Sequence, residues 1–135
     1  MPAWSSPVRY VECDQQGIVF NAHYLTWADE AVMPVLGALG TPYRLLQERD
    51  LEQVVVATTL SWTASARWGD TVEVDGAVES IGRTSFVMVL TIAARRDDEP
   101  ARPCCTVRTT YVMLGEDSRP VAVPDDLRAR WITPT

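Results

Sequence analysis

The sequence predicts an α+β fold in which one antiparallel sheet of about five strands wraps round a single long central helix. Three observations carry this reading. Between Ala22 and Leu39 the apolar residues Tyr24, Trp27, Ala28, Ala31, Val32, Val35, Leu36 and Leu39 recur every three or four positions, the period of one helix face. Beyond Asp50 the period drops to two and stays there to Leu114, as in strands with one face buried. Turn-forming clusters break that second region at Trp68-Gly69-Asp70, Ile81-Gly82-Arg83 and from Arg96 to Pro100. Nearly all the strands follow the helix, so one sheet must cover it.

Taken in order, Val8 to Cys13 is extended in character, and Asp14-Gln15-Gln16-Gly17 carries loop chemistry. Asn21 is a suitable N-cap for the helix. Gly37 weakens the helix, and Gly40 followed by Thr41-Pro42 ends it. Pro34 conflicts with this, because it removes the bond to the Glu30 carbonyl at a cost of about 3 kcal/mol, so a kink or an early helix end is expected. Tyr43 to Asp50 connects the helix to the strands.

The first strand row holds Val54, Val56, Leu60 and Trp62 on one parity. In the second, Val72, Val74 and Val78 face inward while Glu73, Asp75 and Glu79 face out. Phe86, Met88, Leu90 and Ile92 form the third, and Cys105, Val107, Tyr111 and Met113 the last. Cys104 and Cys105 are neighbours on that strand, so one is expected inside and the other outside. The tail from Gly115 onward contains Pro120, Pro124 and Pro134 and reads as a closing extension with a short helix, Asp125 to Trp131.

With 135 residues, the chain fits a single domain over residues 1–135 that buries roughly two-thirds of its unfolded surface. A net charge of −6 with no basic run argues against nucleic acid. All twelve basic residues are Arg, which excludes Schiff-base or Lys-base chemistry. Three cysteines and no apolar leader after Met1 argue against a disulfide framework and for a reducing, cytoplasmic setting. No apolar stretch reaches membrane-spanning length, since Asp29 and Glu30 interrupt the helix. One His and scattered Cys offer no metal-ligand spacing, so neither metal nor cofactor is expected.

Chemistry concentrates at Asp14. This carboxylate ends an extended segment, three residues before Gly17 and seven before Asn21. It therefore stands near a helix N-terminus, whose unpaired N–H groups and positive dipole end stabilise a developing oxyanion. Gly17 would admit a close backbone approach that a Cβ blocks. An Asp in such a loop also serves as an ordinary turn or capping residue.

The stretch VRYVECDQQGIVFNAHYLTW, residues 8–27, resembles the signature of the 4-hydroxybenzoyl-CoA thioesterase family, in which Asp-x-x-Gly, then Ile, Val or His, then Val leads to a Tyr on the central helix of a hotdog fold. WGDTVEV at 68–74, IGRTSF at 81–86 and RPVAVP at 119–124 resemble later blocks of the same family at matching spacings. The resemblance implies that Asp14 is the catalytic carboxylate, acting as nucleophile through a mixed anhydride or as general base on water. It implies further that the Asn21 backbone N–H polarises the thioester carbonyl with Gly17 shaping the hole, and that Phe20 and Tyr24 line an acyl pocket.

His23 and Asn21 stand in swapped order relative to some members, so the role of His23 near the thioester is not carried over from them. Where the benzoyl-CoA relatives place several basic residues round a hairpin for the nucleotide, this chain keeps only Arg83. The implied activity is hydrolysis of a medium-sized or aromatic acyl-CoA by a homodimer or homotetramer. Alternatives are a thioesterase for acyl chains on a carrier-protein phosphopantetheine and a non-catalytic acyl-CoA-binding domain.

Overall fold

In the computed structural model, residues 1–132 are described; Pro134 of the tail lies outside them. The strands are β1 (Trp4–Pro7), β2 (Glu52–Trp62), β3 (Thr71–Ile81), β4 (Ser85–Arg95) and β5 (Arg102–Leu114), and the helices are α1 (Ala22–Ala38), α2 (Tyr43–Glu48) and α3 (Asp125–Trp131). The strands form one antiparallel sheet in the order β1-β3-β4-β5-β2, curled round α1 as a hotdog fold requires.

The curl has a local cause. The ladders shift register between Val55 and Ala57, between Val78 and Ser80, and between Ile92 and Ala93 where β4 meets β5. Each shift leaves one extra residue, Val56, Glu79 or Cys104, and such bulges bend a strand and increase its twist. They also correct two expectations. Val56 falls out of the β2 parity and is 57% exposed. Cys104 and Cys105 are both buried, because the bulge at Cys104 turns consecutive side chains inward. Gly76 in β3 marks the closest approach of the strands, since an added Cβ would collide with Leu90 and the Val89 carbonyl.

The face of α1 predicted from its period is the buried one: Tyr24, Trp27, Ala28, Ala31, Val32, Val35 and Leu36 pack on the sheet. The helix does not stop early at Pro34. Val35 and Leu36 beyond it are each 1% exposed, and burying two such side chains offsets the lost bond. Gly40, at φ +89°, ends the helix as expected, with Gly40 N–H on the Gly37 carbonyl and Thr41 N–H on that of Leu36.

Two features at the other end differ from the sequence reading. Asn21 already has helical dihedrals (φ −48°, ψ −40°) and its side chain makes no cap bond. The extended segment also comes earlier than expected, as β1, and Tyr10–Glu12 is a 3-10 turn. Phe20 N–H donates to the Glu12 carbonyl at 2.9 Å, so that turn fixes the chain's entry into α1. The expected tail helix is α3, whose Trp131 packs on Phe86 and donates from Nε1 to Thr41 Oγ1 at 2.8 Å.

Candidate active site

The loop between Cys13 and Val19 is a miniature hairpin. Those two residues pair, Asp14 N–H donates to the Ile18 carbonyl at 2.9 Å, and Gly17 N–H donates to the Asp14 carbonyl at 3.0 Å. Gly17 has φ +77°, the left-handed position that completes a three-residue hairpin loop. A Cβ there would meet nothing within 4 Å. Within the chain itself, glycine is thus required here for its dihedral.

Asp14 is exposed at the neck of this hairpin. Its Oδ1 accepts the Gln16 N–H at 2.8 Å, a local turn bond that holds the carboxylate in place. Among the described residues nothing bonds Oδ2, and no acceptor serves the amides of Asn21 and Ala22 at the start of α1. A carboxylate with a free oxygen and two free helix-terminal N–H groups therefore share one end of the molecule.

A cleft of about 290 Å³ is lined by Ile18, Val19, Asn21, Tyr24, Trp62, Thr63, Ala64 and Ser65, so Asn21 is part of its wall and Asp14 is not. Tyr24 is 1% exposed, and burial raises the pKa of its phenol. Its hydroxyl accepts the Ala66 N–H at 2.9 Å, while the Ala66 carbonyl accepts the Val19 N–H, also at 2.9 Å. Tyr24 thus backs the cleft with its ring and ties helix, loop and the 62–67 segment together.

Other candidates lie elsewhere. Phe20 is 54% exposed and absent from the cleft wall, with His23 edge-on to it at 6.3 Å. Arg83 is exposed on the β3–β4 turn, at the opposite end of the sheet from the residue 66–71 segment that supports the loop. The eleven residues of β3 separate these ends by on the order of 30 Å. A larger cavity of about 510 Å³, lined by Met33, Tyr43, Asp50, Glu52 and Glu116 among others, contains none of the candidate residues.

Two buried carboxylates that sequence reasoning did not single out form the frame of the site. Glu12, 2% exposed, accepts the Arg9 N–H at 2.7 Å on Oε1 and the Trp27 indole N–H at 2.9 Å on Oε2, with the Arg9 guanidinium at 3.3 Å. Burial alone would raise its pKa, but the bonds from Arg9 and Trp27 outweigh burial and hold it below the usual range. Asp70, 1% exposed, accepts from Arg102 at 2.7 Å and from the Arg67 N–H at 2.9 Å on Oδ2.

Oδ1 of Asp70 lies 3.0 Å from Arg96 Nε, an ion pair without hydrogen-bond alignment. Burial again pushes the carboxyl up, and the Arg102 bond, the Arg67 amide and the two guanidinium charges bring it below the usual range. Arg102 and Arg96 also bond the Ser65 and Trp68 carbonyls, so Asp70 braces the segment on which the Asp14 loop rests. The only sequence trace of the Glu12 network is the Arg9-x-x-Glu12 spacing of a capping box, without the usual Ser or Thr.

Among the described residues, no group of three or more His, Cys, Asp or Glu is placed to hold a metal ion, and no helix is long and apolar enough to cross a membrane.

Comparison with known proteins adds to this geometry. The pattern described as Thioesterase-like superfamily matches residues 8–131. A provisionally named acyl-CoA thioesterase of Bacillus subtilis (strain 168), YneP, is 32% identical over 72 residues, 53% of this chain and 52% of that protein. The chain spans about half the length of the curated relatives it matches, 52% of this one and 62% of an Aquifex aeolicus (strain VF5) protein named an esterase. The fold matches 4-hydroxybenzoyl-CoA thioesterase from Pseudomonas sp. strain CBS-3 with a TM-score of 0.82 at 20% identity, over 94% of this chain and 96% of that one. A 1,4-dihydroxy-2-naphthoyl-CoA thioesterase from Synechocystis matches with a TM-score of 0.76 at 17% identity, over 96% and 94% of the two chains.

Proposed function

Because the chain belongs to the Thioesterase-like superfamily, we propose that it is a thioester hydrolase acting on acyl-CoA, with Asp14 as the catalytic carboxylate. The observation that carries this reading is a free Asp14 oxygen and unbonded Asn21 and Ala22 amides at one end of the molecule, with Asn21 lining a cleft of mixed polar and apolar walls. The solvent exposure of Asp14 favours the general-base route over direct attack. Asp14 takes a proton from water as the water oxygen bonds the thioester carbon. The carbonyl oxygen becomes an oxyanion facing the helix amides, the C–S bond then breaks, and the proton passes to the departing sulfur.

Gly17 supplies the turn that holds Asp14, Tyr24 backs the acyl group, and Asn21 contributes its amide. Arg83 is too distant for the thioester and is assigned to the phosphate end of the coenzyme. A role for Phe20 and His23 at the mouth of the cleft rests on their neighbouring positions at the start of α1. A carrier-protein thioester presents the same phosphopantetheine arm to this site, and the free Asp14 oxygen favours turnover over mere binding.

The same reading includes a homodimer, with a tetramer formed by pairing of dimers. β2 is an eleven-residue edge strand carrying exposed Val55 and Val56, and a long apolar edge left open is an aggregation hazard that pairing removes. A light-scattering mass of one chain would contradict the dimer.

Thiol release measured over a panel of acyl-CoA and acyl-pantetheine substrates tests the activity. Asp14→Asn is expected to lower kcat by at least about a hundredfold while the circular dichroism spectrum is unchanged. Equal rates in the two proteins would reduce Asp14 to a turn residue.

A further inference from the structure

The cleft that Asn21 lines has one wall that the fold does not otherwise use. Tyr24 is fixed by Ala66, and Ile18 and Val19 belong to the hairpin ladder, with Val19 2% exposed. Trp62, in contrast, is 45% exposed at the last position of β2. Its indole stands edge-on to Tyr24, with ring centroids 5.9 Å apart and planes at 89°. Trp27 contacts Tyr24 as well, but it is buried, bonds Glu12 and lines a different cavity, so it does not bound this cleft. A large aromatic side chain left half in solvent gives up much of the burial that normally retains it in a strand.

We propose that Trp62 is the specificity-determining residue for the acyl group: its indole forms the wall adjoining Tyr24 and limits the acyl moiety to a single ring or a short chain. This deepens the thioesterase reading and rests on it. A cleft of about 290 Å³ lies at the bottom of the range that holds drug-sized ligands, and it must also admit the thioester itself. Two aromatic faces meeting at right angles suit an aryl group, which gains an edge or face contact from each. Thr63 and Ser65 at the rim leave a polar boundary against the coenzyme arm. Removing the indole opens the cleft toward solvent along the end of β2, where a longer chain has room to run.

The experiment compares wild type, Trp62→Ala and Trp62→Phe on acetyl-, butyryl-, benzoyl-, octanoyl- and palmitoyl-CoA. The expected result is that Trp62→Ala raises the octanoyl-to-benzoyl ratio of kcat/KM by at least about tenfold, with Trp62→Phe in between. A ratio unmoved in both variants overturns the proposal, because a purely structural role alters all substrates together. Should the Ala variant not fold, the Phe variant still reads the ratio. Equilibrium binding of non-hydrolysable benzoyl- and octanoyl-CoA thioether analogues repeats the measurement without turnover. If these bind with the expected ratios and no thioester is cleaved, the hydrolase reading falls and selection by Trp62 stands; if cleavage occurs with unchanged ratios, the reverse holds. Failure to bind either analogue overturns both.

Discussion

Two carboxylates stand two residues apart in the segment that leads into α1, and their surroundings are opposite. Glu12 is buried and takes bonds from the Arg9 backbone, the Arg9 guanidinium and the Trp27 indole. Asp14 is exposed and takes one bond, from the Gln16 amide in its own turn. A buried carboxylate with both oxygens engaged is held in its ionised form and out of reach of a reactant. One that is positioned through a single oxygen keeps the other available. The contrast separates a rigid frame, built on Glu12 and Asp70, from an exposed hairpin mounted on it, and each side of that division can be broken independently.

The largest effect is expected on the hairpin side, at the amide of residue 21. Asn21→Pro deletes an N–H that has no protein acceptor, at a φ of −48° that proline tolerates. We predict a fall in kcat of about 10² to 10³, as for loss of one oxyanion donor, with unfolding free energy close to wild type. An unchanged kcat in a folded variant would remove that amide from the reaction.

Next in size is the frame. Asp70→Asn removes a charged acceptor that grips Arg102 and the Arg67 amide, and the loss is expected to be about 2 to 3 kcal/mol in urea unfolding. The pH dependence follows from the direction of the shifts. Folding lowers the pKa values of Asp70 and Glu12 from ordinary values of 3.8 and 4.5, so on acidification the unfolded chain takes up these protons first. The stability they provide is complete above about pH 4.5 and declines as pH falls through the lower folded values. In Asp70→Asn that acid decline should be shallower; the same slope in both proteins would contradict the assignment.

Glu12→Gln tests whether frame and hairpin communicate. Glutamine keeps the shape but has one acceptor oxygen where two are in use, for a cost of about 1 to 2 kcal/mol. Because the Glu12 carbonyl also holds Phe20 at the start of α1, kcat is expected to drop about tenfold with KM little changed. Lost stability with full kcat would confine Glu12 to folding.

The hairpin and the helix it leads into were legible in the sequence and the frame was not. Asp14, Gly17 and the start of α1 lie within one short stretch, and the buried face of α1 follows from a period that local geometry imposes. Four of the five strands were visible as alternating rows for the same reason. The Glu12–Trp27 and Asp70–Arg102 bonds join residues 15 and 32 positions apart, and no periodicity records such pairings. Bulges are hidden too, since a one-residue register shift depends on the neighbouring strand; this is why Cys104 and Val56 were misplaced. Asn21 is the instructive error, because its residue type suits a cap while its dihedrals already belong to the helix.

That error supplies the smallest and sharpest test. A capping Asn replaced by Ala typically loses 0.5 to 2 kcal/mol, whereas an exposed side chain with no bond should cost no more than about 0.5 kcal/mol. Asn21 is of the second kind. Asn21→Ala keeps the amide and discards only the side chain, so both urea stability and kcat should stay near wild type. Set against Asn21→Pro, it separates the two roles one residue can hold at a helix start. A loss above 1 kcal/mol would mean that the side chain caps α1 in solution, and a large drop in kcat would move the work from the backbone N–H to the carboxamide.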